Sequence, residues 1–325
     1  MPVSERKVVI VGAGAVGSTC AFSLMRTGLA DEIVLVDLDR RRAEGEVADM
    51  NHGLSFVPPV EIRAGDYTDC KKASIIVISA GAKQQPGQSR LDLVNQNVRI
   101  CRSIVDRVVE NSQDAIMIMV TNPVDVLTYF AIKCAGWPPG RIIGSGTVLD
   151  SARFRYLLSR LYQVDVRNVH AYVAGEHGDS EVALWSMTHI GGMSVEDYCK
   201  ICGSRIPPVN RDDILNQVRE SAYHVIESKG ATNYAVSLAL ERIIGAILRD
   251  ENSILTVSSM IDGVYGIRNV CLSLPSLVNR KGVDHVMYAT LDQAEVDALH
   301  KSAEALREVI ERVEAESYSD EKAKG

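Results

Sequence analysis

The stretch that decides the fold is Lys7-Val8-Val9-Ile10-Val11-Gly12-Ala13-Gly14-Ala15-Val16-Gly17. Its first five residues are apolar or β-branched after Lys7 and stop at glycine, which predicts a short, fully buried strand. Residues 18–29 then have the small and apolar composition of a packed helix. A second apolar run, residues 32–36, ends in Asp37, twenty positions beyond Gly17. A strand, a glycine turn, a helix, a second strand and a terminal acid are together the pattern of a dinucleotide-binding βαβ unit.

Each part of this unit has a physical task. Gly12 permits the tight turn, Gly14 lets the backbone approach a pyrophosphate, and Gly17 brings the helix against the strand. The helix N-terminus, which includes Val16, offers unpaired N–H groups to phosphate. The Asp37 carboxylate can accept hydrogen bonds from a ribose diol and would repel a 2′-phosphate, so NAD is expected rather than NADP. The alternative is a purely structural βαβ unit without a ligand.

The composition limits the binding partners and the cellular compartment that we expect for this chain. The net charge of −7 and the isoelectric point near 5.6 argue against nucleic acid or an acidic membrane surface as the main partner. No signal-peptide pattern and no membrane-spanning apolar run is apparent. The seven cysteines are odd in number and scattered, which fits a reducing cytoplasm. Cys199 and Cys202 form one CxxC without a second ligand pair nearby, so no metal site is expected.

Four further apolar runs, residues 60–64, 74–81, 115–120 and 142–144, alternate with helical spans and predict parallel strands joined by right-handed crossovers. In such sheets, ligands bind at the carboxyl ends of the strands. The residues expected along that edge as cofactor contacts are Gly12, Asp37, Gly81, Ala82, Asn122 and Ser145. Tyr67 is expected to flank the adenine ring, and Arg42, in a run of three arginines, to lie near the adenosine half.

A polar segment broken by Pro-Gly, residues 83–90, lies between two of these strands and leads into a predicted helix at 91–109. A flexible polar segment at the ligand edge that ends in Arg90 is a candidate active-site lid, with bounds 82–95. The alternative is an ordinary surface loop.

After Asp150 the strand–helix alternation stops. The sequence predicts a helix at 151–161, a strand at 169–174, helical structure at 212–249 interrupted near Gly230, antiparallel strands at 254–260 and 270–273, and a C-terminal helix with an apolar stripe. We therefore predict an α/β fold. Residues 1–149 would form a Rossmann-type doubly wound parallel sheet, and residues 150–325 an α+β substrate domain.

At Gly175-Glu176-His177-Gly178-Asp179-Ser180, together with Asp150-Ser151-Ala152-Arg153, the chain closely resembles the bacterial L-lactate dehydrogenases, which share a superfamily with the malate dehydrogenases. The resemblance covers nearly the whole length and keeps the family's order of motifs. Those motifs also include the glycine turn, the lid arginine, and residues 121–125 and 229–232. The resemblance implies reversible hydride transfer between NADH and pyruvate, giving L-lactate and NAD.

The resemblance also implies roles for individual residues. His177 would be the general acid/base, because imidazole has an unperturbed pKa of about 6.5. Asp150 would bind its other ring nitrogen, and both residues would be catalytic. An Asp–His pair can also be purely structural.

Two arginines would complete the catalytic group. Arg153 would hold the substrate carboxylate with a bidentate fork, and Arg90 would polarise the ketone oxygen when the lid closes. Asn122 would hydrogen-bond near the nicotinamide and the reacting oxygen, and Thr232 would line the substrate pocket. Each arginine has a simpler interpretation as a solvated surface cation.

The substrate is predicted from pocket charge. Malate dehydrogenases place an arginine at the lid position that is Gln84 here, so the second carboxylate of oxaloacetate would lack a cation. Gln84 therefore favours pyruvate. Related lactate enzymes commonly carry glutamate where this lid has Gln88, so residual oxaloacetate turnover is expected. The alternatives are a malate or dual-specificity dehydrogenase and, in another class, a catalytically idle NAD-binding protein with a structural or sensing role.

A regulatory hypothesis also follows from the resemblance. In bacterial relatives activated by fructose 1,6-bisphosphate, an Arg and a His meet across a subunit interface, and the matching positions are Arg155 and His170. Their presence permits this activation without requiring it, and His170 is equally compatible with an ordinary interface role. A homotetramer is expected.

Overall fold

The computed structural model describes residues 6–83, 87–202 and 210–324. The helices are α1 Ala15–Thr27, α2 Arg40–His52, α3 Arg90–Asn111, α4 Val124–Ala135, α5 Val148–Tyr162, α6 Val195–Cys202, α7 Arg211–Lys229, α8 Tyr234–Leu248 and α9 Gln293–Lys324. The strands are β1 Lys7–Val11, β2 Glu32–Val36, β3 Glu61–Ala64, β4 Ile75–Ile78, β5 Ile116–Met119, β6 Ile142–Gly144, β7 Val169–His170, β8 Val173–Ala174, β9 Val182–Ala183, β10 His189–Ile190, β11 Met193–Ser194, β12 Ser253–Leu255, β13 Ser258–Asp262, β14 Arg268–Ser273, β15 Ser276–Asn279 and β16 Gly282–Val286.

An eight-stranded sheet in the order β14-β13-β6-β5-β4-β1-β2-β3 forms the centre of the molecule. Strands β1 to β6 pair in parallel, as the sequence predicts for a Rossmann-type fold. Successive side chains of a strand point to opposite faces of the sheet, and helices bury both faces. Val9 and Val11 pack in the core that contains α3, α4 and α9, whereas Val8 and Ile10 pack in the core that contains α1, α2 and α8.

The sheet continues across the predicted domain division at 149/150. Strand β13 adds antiparallel to β6 through the pair Ser258–Gly144, and β14 follows it. The strand predicted at 254–260 is therefore wrong as one element. Residues 253–255 form β12, which pairs with β15 in a separate sheet, and the main-sheet strand starts only at Ser258. The division itself stays a prediction.

The single strand predicted at 169–174 is also wrong, because two short strands, β7 and β8, belong to different sheets. Side chains of α5 form hydrogen bonds with backbone groups where β7 ends and β8 begins. The Arg155 Nε donates to the carbonyl of Ala171 at 2.8 Å, and the Ser151 Oγ accepts from the N–H of Val173 at 2.9 Å. These contacts satisfy the backbone without a sheet ladder and tie this segment to the helix that carries Asp150.

The helical predictions for the second half are confirmed. Gly230 ends α7 in the left-handed conformation, with φ of +85°, and α8 starts four residues later. The apolar stripe of α9 lies on the core, and its buried members are Leu299, Ala303, Leu306, Ile310 and Val313.

Candidate active site

The glycine turn combines close packing with open space. Gly12 has a φ of +109°, and a Cβ placed on it would lie 2.6 Å from the backbone nitrogen of Ala80. A Cβ on Gly17 would lie 1.9 Å from the carbonyl oxygen of Gly12. By contrast, nothing lies within 4 Å of a Cβ on Gly14, which caps the N-terminus of α1. The turn is therefore open where the sequence predicts a pyrophosphate, and the residues present fit that group.

Two alanine variants separate these roles. Gly17→Ala is expected to lower the free energy of unfolding by about 1–3 kcal/mol or more, because its methyl group overlaps backbone. Gly14→Ala should unfold like wild type, yet weaken NADH binding about tenfold or more, equivalent to about 1.4 kcal/mol. Thermal unfolding without coenzyme and fluorescence titration with NADH measure the two effects. Wild-type NADH affinity in Gly14→Ala would contradict the predicted pyrophosphate position.

The predicted adenosine contacts lie on the same edge. Asp37 Oδ2 accepts from the N–H of Ala13 at 2.7 Å, and Oδ1 accepts from the N–H of Asp39 at 2.9 Å, so its carboxylate is fixed beside the glycine turn. Tyr67 is half-buried, and the Arg107 guanidinium lies 5.1 Å from its ring centroid. Arg42 is exposed in the first turn of α2, and its side chain has no described contact with Tyr67.

The residues predicted to contact the nicotinamide are joined by a residue that sequence reasoning did not single out. Asn97 on α3 accepts from the N–H of Ala82 at 2.7 Å and donates to the carbonyl of Asn122 at 2.9 Å. Its only sequence signal is an amide among buried apolar residues of an amphipathic helix. A Cβ on Gly81 would lie 2.2 Å from Thr121 Cγ2, so this glycine is required by packing within the protein. Ser145 is buried at the end of β6.

The predicted proton-transfer pair is in contact. Helix α5 carries Asp150 and Arg153 one turn apart, and Asp150 is 1% exposed. Asp150 Oδ2 lies 2.6 Å from His177 Nδ1, and Asp150 Oδ1 accepts from Arg153 Nη1 at 2.8 Å. Burial alone would lower the pKa of His177, but the Asp150 carboxylate outweighs it and raises that pKa to about 9. Burial raises the pKa of Asp150, and its two cationic neighbours more than reverse that effect.

Asp125, at the start of α4, is a second contact that sequence reasoning missed. Its Oδ2 accepts from the backbone N–H of His177 at 2.7 Å, and the residue is 2% exposed. Burial raises the pKa of Asp125 to about 6. A carboxylate among the buried and mostly apolar residues 124–132 is the signal that could have identified it. This contact connects the Asn122 segment to the loop that carries His177.

The remaining predicted substrate residues are more dispersed. Arg90 begins α3 with a largely exposed side chain, and its Nη1 lies 3.3 Å from Asp179 Oδ2, two residues beyond His177. Thr232 is half-buried in the loop between α7 and α8. Gln84 lies outside the described residues. The structure thus brings His177, Asp150 and Arg153 together directly. Arg90, at the start of α3, instead contacts Asp179 on the outer side of the loop that carries His177.

The two residues of the regulatory hypothesis differ in exposure. Arg155 lies with its guanidinium 5.1 Å from the ring centroid of Tyr172 and lines a cavity of about 290 Å³ between α5, α8 and β12. His170 is exposed on β7. The structure describes no contact between the two side chains within this chain.

The described part of the chain contains neither a metal-binding cluster nor a membrane-spanning helix. In residues 6–83, 87–202 and 210–324, no group of three or more His, Cys, Asp or Glu side chains could hold a metal ion. Over the same ranges, every helix is too short or too polar to cross a membrane. All seven cysteines are unpaired.

Two family models together match almost the whole chain. The lactate/malate dehydrogenase NAD binding domain matches residues 6–144, and the lactate/malate dehydrogenase alpha/beta C-terminal domain matches residues 147–317.

Named relatives and solved structures agree with these matches. The chain is 49% identical to an L-lactate dehydrogenase of Acetivibrio thermocellus over 95% of this chain and 98% of the relative, and 51% identical to one of Thermoanaerobacter sp. strain X514 over 95% and 99%. A lactate dehydrogenase from a Medee basin deep-sea metagenome library superposes with a TM-score of 0.91 at 41% identity, and a minor L-lactate dehydrogenase from Enterococcus mundtii with a TM-score of 0.91 at 38% identity. Each alignment covers 95% of this chain and 99% of the solved chain.

Proposed function

This chain belongs to the lactate/malate dehydrogenase family, and on that premise we propose that it is an NAD-dependent L-lactate dehydrogenase that interconverts pyruvate and L-lactate. The observation that carries the proposal is the buried contact of Asp150 with both His177 and Arg153. It supports a proton donor and a carboxylate-binding cation side by side, as reduction of a 2-oxo acid requires. The names of relatives about half identical over nearly the full chain support the same activity.

The cofactor would be held along the carboxyl ends of the strands. We propose that Gly12, Gly14, Val16 and Gly17 bind the pyrophosphate and that Asp37 binds the adenosine ribose. The further proposed contacts are Arg42, Tyr67, Gly81, Ala82, Asn122 and Ser145. NADH, when bound, supplies the hydride.

His177 handles the proton. Asp150 occupies Nδ1, which leaves Nε2 to exchange a proton with the substrate oxygen. In pyruvate reduction, protonated His177 gives its proton to the ketone oxygen; in lactate oxidation, the neutral ring accepts the hydroxyl proton. The raised pKa keeps His177 protonated at neutral pH, so the free site is set to donate. Asp150 and the Asp125 bond to the backbone of His177 hold the ring in position.

Substrate binding uses the arginines. Arg153 Nη1 donates a hydrogen bond to Asp150. The other N–H groups of the guanidinium remain to bind the substrate carboxylate. Arg90 would leave Asp179 to polarise the ketone oxygen, while Asn122 and Thr232 line the pocket. Gln84 would leave a second carboxylate unpaired.

Rapid mixing of the protein with NADH and pyruvate tests the activity. An L-lactate dehydrogenase oxidises NADH and yields L-lactate, whereas an idle NAD-binding protein binds NADH and leaves its absorbance unchanged. The intact group of His177, Asp150 and Arg153 favours the first outcome.

We propose a homotetrameric, cytoplasmic enzyme of pyruvate fermentation downstream of glycolysis. The unpaired cysteines support a reducing compartment. Exposed apolar side chains on α5 and α8 support an interface between subunits, because Tyr156, Tyr234 and Leu238 are 58%, 70% and 56% exposed. Sedimentation of the purified protein tests the tetramer.

Allosteric activation by fructose 1,6-bisphosphate, an anion bound by Arg155 and His170, is a further part of the proposal. The exposed position of His170 supports a role between subunits. Pyruvate saturation curves that are identical with and without this sugar bisphosphate would contradict it.

A further inference from the structure

Asn97 is a polar side chain on the buried face of α3. Its buried neighbours on that face, Val94, Val98 and Cys101, are apolar or nearly so. A buried polar group costs free energy unless it is hydrogen-bonded. The described hydrogen-bond partners of Asn97 are all backbone groups, and they belong to the two segments that follow β4 and β5. Asn97 therefore connects α3 to the carboxyl ends of both strands.

One amide satisfies both segments at once. Asn97 Oδ1 accepts from the N–H of Ala82 at 2.7 Å, and Asn97 Nδ2 donates to the carbonyl of Asn122 at 2.9 Å. The same Nδ2 reaches the carbonyl of Ala82 only at 3.5 Å. Beside this bridge, Thr121 Oγ1 donates to the carbonyl of Ala80 at 2.8 Å. Because Ala82 presents a donor and Asn122 an acceptor, a neutral amide in one orientation fits both, whereas a carboxylate, which only accepts, does not.

The bridge holds the main chain of Asn122 and leaves its side chain to face outward. That side-chain amide is exposed and makes no hydrogen bond within the part of the chain that the structure describes. In the proposed reaction it hydrogen-bonds beside the nicotinamide and the reacting oxygen. Its position is set by the main chain that Asn97 holds, and a misplacement of about 1 Å can cost about 10²-fold in rate.

The same amide also holds α3, the helix that begins with Arg90. Asn97 lies seven residues beyond Arg90, and residues seven apart lie on the same face of a helix. Seven residues of helix span about 10 Å. The start of α3 is thus tied to the strand ends about two helical turns from Arg90. A single side chain joins the backbones that carry Asn122 and Arg90.

We propose that Asn97 is a positioning residue for hydride transfer: its amide holds the Asn122 main chain and the helix that begins with Arg90 at the spacing that lets both side chains reach the ketone oxygen. This inference rests on the proposed lactate dehydrogenase activity and on the roles of Asn122 and Arg90 in it. Loss of the bridge should slow the chemical step more than it weakens coenzyme binding, because the proposed pyrophosphate and ribose contacts, Gly14 and Asp37, lie beside β1 and β2.

The pH dependence of kcat in Asn97→Asp tests this proposal. A protonated carboxyl at this position offers an oxygen to the N–H of Ala82 and an O–H to the carbonyl of Asn122, so it reproduces the pattern of the amide. An ionised carboxyl can only accept, and it repels the Asn122 carbonyl. Burial raises the pKa of a carboxyl above its ordinary value of about 3.9, and the backbone groups that Asn97 contacts do not titrate.

We therefore expect rescue of this variant at low pH. At saturating NADH and pyruvate, the ratio of variant to wild-type kcat should be near one at about pH 5 and fall about 10–100-fold by about pH 8. Taking the ratio at each pH removes the titration of groups that both proteins share.

Asn97→Ala removes both hydrogen bonds at every pH. Its kcat should be about 10–100-fold below wild type, and the ratio should not change with pH. NADH fluorescence titration at about pH 8 should give both variants a Kd within about threefold of wild type. The rates are measured below the thermal unfolding transition of each variant, so that an amide needed only for stability would leave kcat at the wild-type value.

Asn111→Asp and Asn111→Ala are the matched controls at the other end of α3, where Asn111 Nδ2 donates to the carbonyl of Arg107 at 2.8 Å. Both should keep wild-type kcat at each pH. The inference is overturned by a constant kcat ratio for Asn97→Asp across the pH range, by wild-type kcat in Asn97→Ala, or by a loss of NADH affinity as large as the loss of kcat. Failure of wild type to reduce pyruvate would instead overturn the proposed function, so the two failures are distinguishable.

Discussion

His177→Gln is expected to lower kcat for pyruvate reduction by about 10²–10⁴-fold, the usual contribution of a positioned proton donor. Glutamine fills similar space and can hydrogen-bond to Asp150, but it cannot deliver a proton to the ketone oxygen. NADH affinity should change little, because the predicted cofactor contacts lie on other residues. Steady-state rates and an NADH fluorescence titration measure the two quantities separately.

His189→Gln is the matched control. His189 is half-buried in β10, twelve positions beyond His177, and its Nδ1 lies 3.2 Å from the carbonyl of Met187. We expect this variant to keep wild-type kcat. If His177→Gln retained wild-type kcat, or if both variants lost activity equally, His177 would not be the proton donor.

Arg153→Lys is expected to lower kcat/KM for pyruvate about 10–100-fold, the loss of one charge-assisted hydrogen bond worth roughly 1.5–3 kcal/mol. Lysine keeps the positive charge but is a compact point charge, so it cannot bind Asp150 and a carboxylate with one planar fork. The loss should appear mainly as a higher KM. Initial rates over a range of pyruvate concentrations at saturating NADH measure it.

Arg160→Lys makes the same change at an exposed position of α5 and should leave kcat and KM at wild-type values. Equal effects of the two substitutions would mean that Arg153 contributes only general positive charge. An unchanged KM in Arg153→Lys would mean that another group binds the carboxylate.

The parallel sheet could be predicted because its information is local. After Lys7 in β1 and Glu32 in β2, the strands β1, β2, β4 and β5 are continuous apolar runs, the composition typical of a strand buried on both faces. The glycine turn was equally readable, since Gly12 and Gly17 leave no room for a side chain. Strand predictions failed where side chains distant in sequence determine the backbone hydrogen bonding. At Ala171 and Val173, for example, backbone groups are hydrogen-bonded to side chains of α5.

The residues of the site that the sequence did not identify were missed for a different reason. Asp125 lies 52 positions from His177, and Asn97 lies 25 positions from Asn122. Periodicity places each residue on a buried helix face but does not say which backbone group it meets. Resemblance to a family identifies residues with shared roles, whereas these supporting contacts required coordinates.

The measurement that tests the proposed function most directly is kcat/KM for pyruvate and for oxaloacetate with NADH, on wild type and on Gln84→Arg in parallel. Wild type should prefer pyruvate strongly, because a second carboxylate without a cation costs several kcal/mol if it stays ionised. Gln84→Arg should invert that preference. A wild-type enzyme that already prefers oxaloacetate would contradict the account and make this a malate-type dehydrogenase, with the second carboxylate bound by a group other than the lid residue.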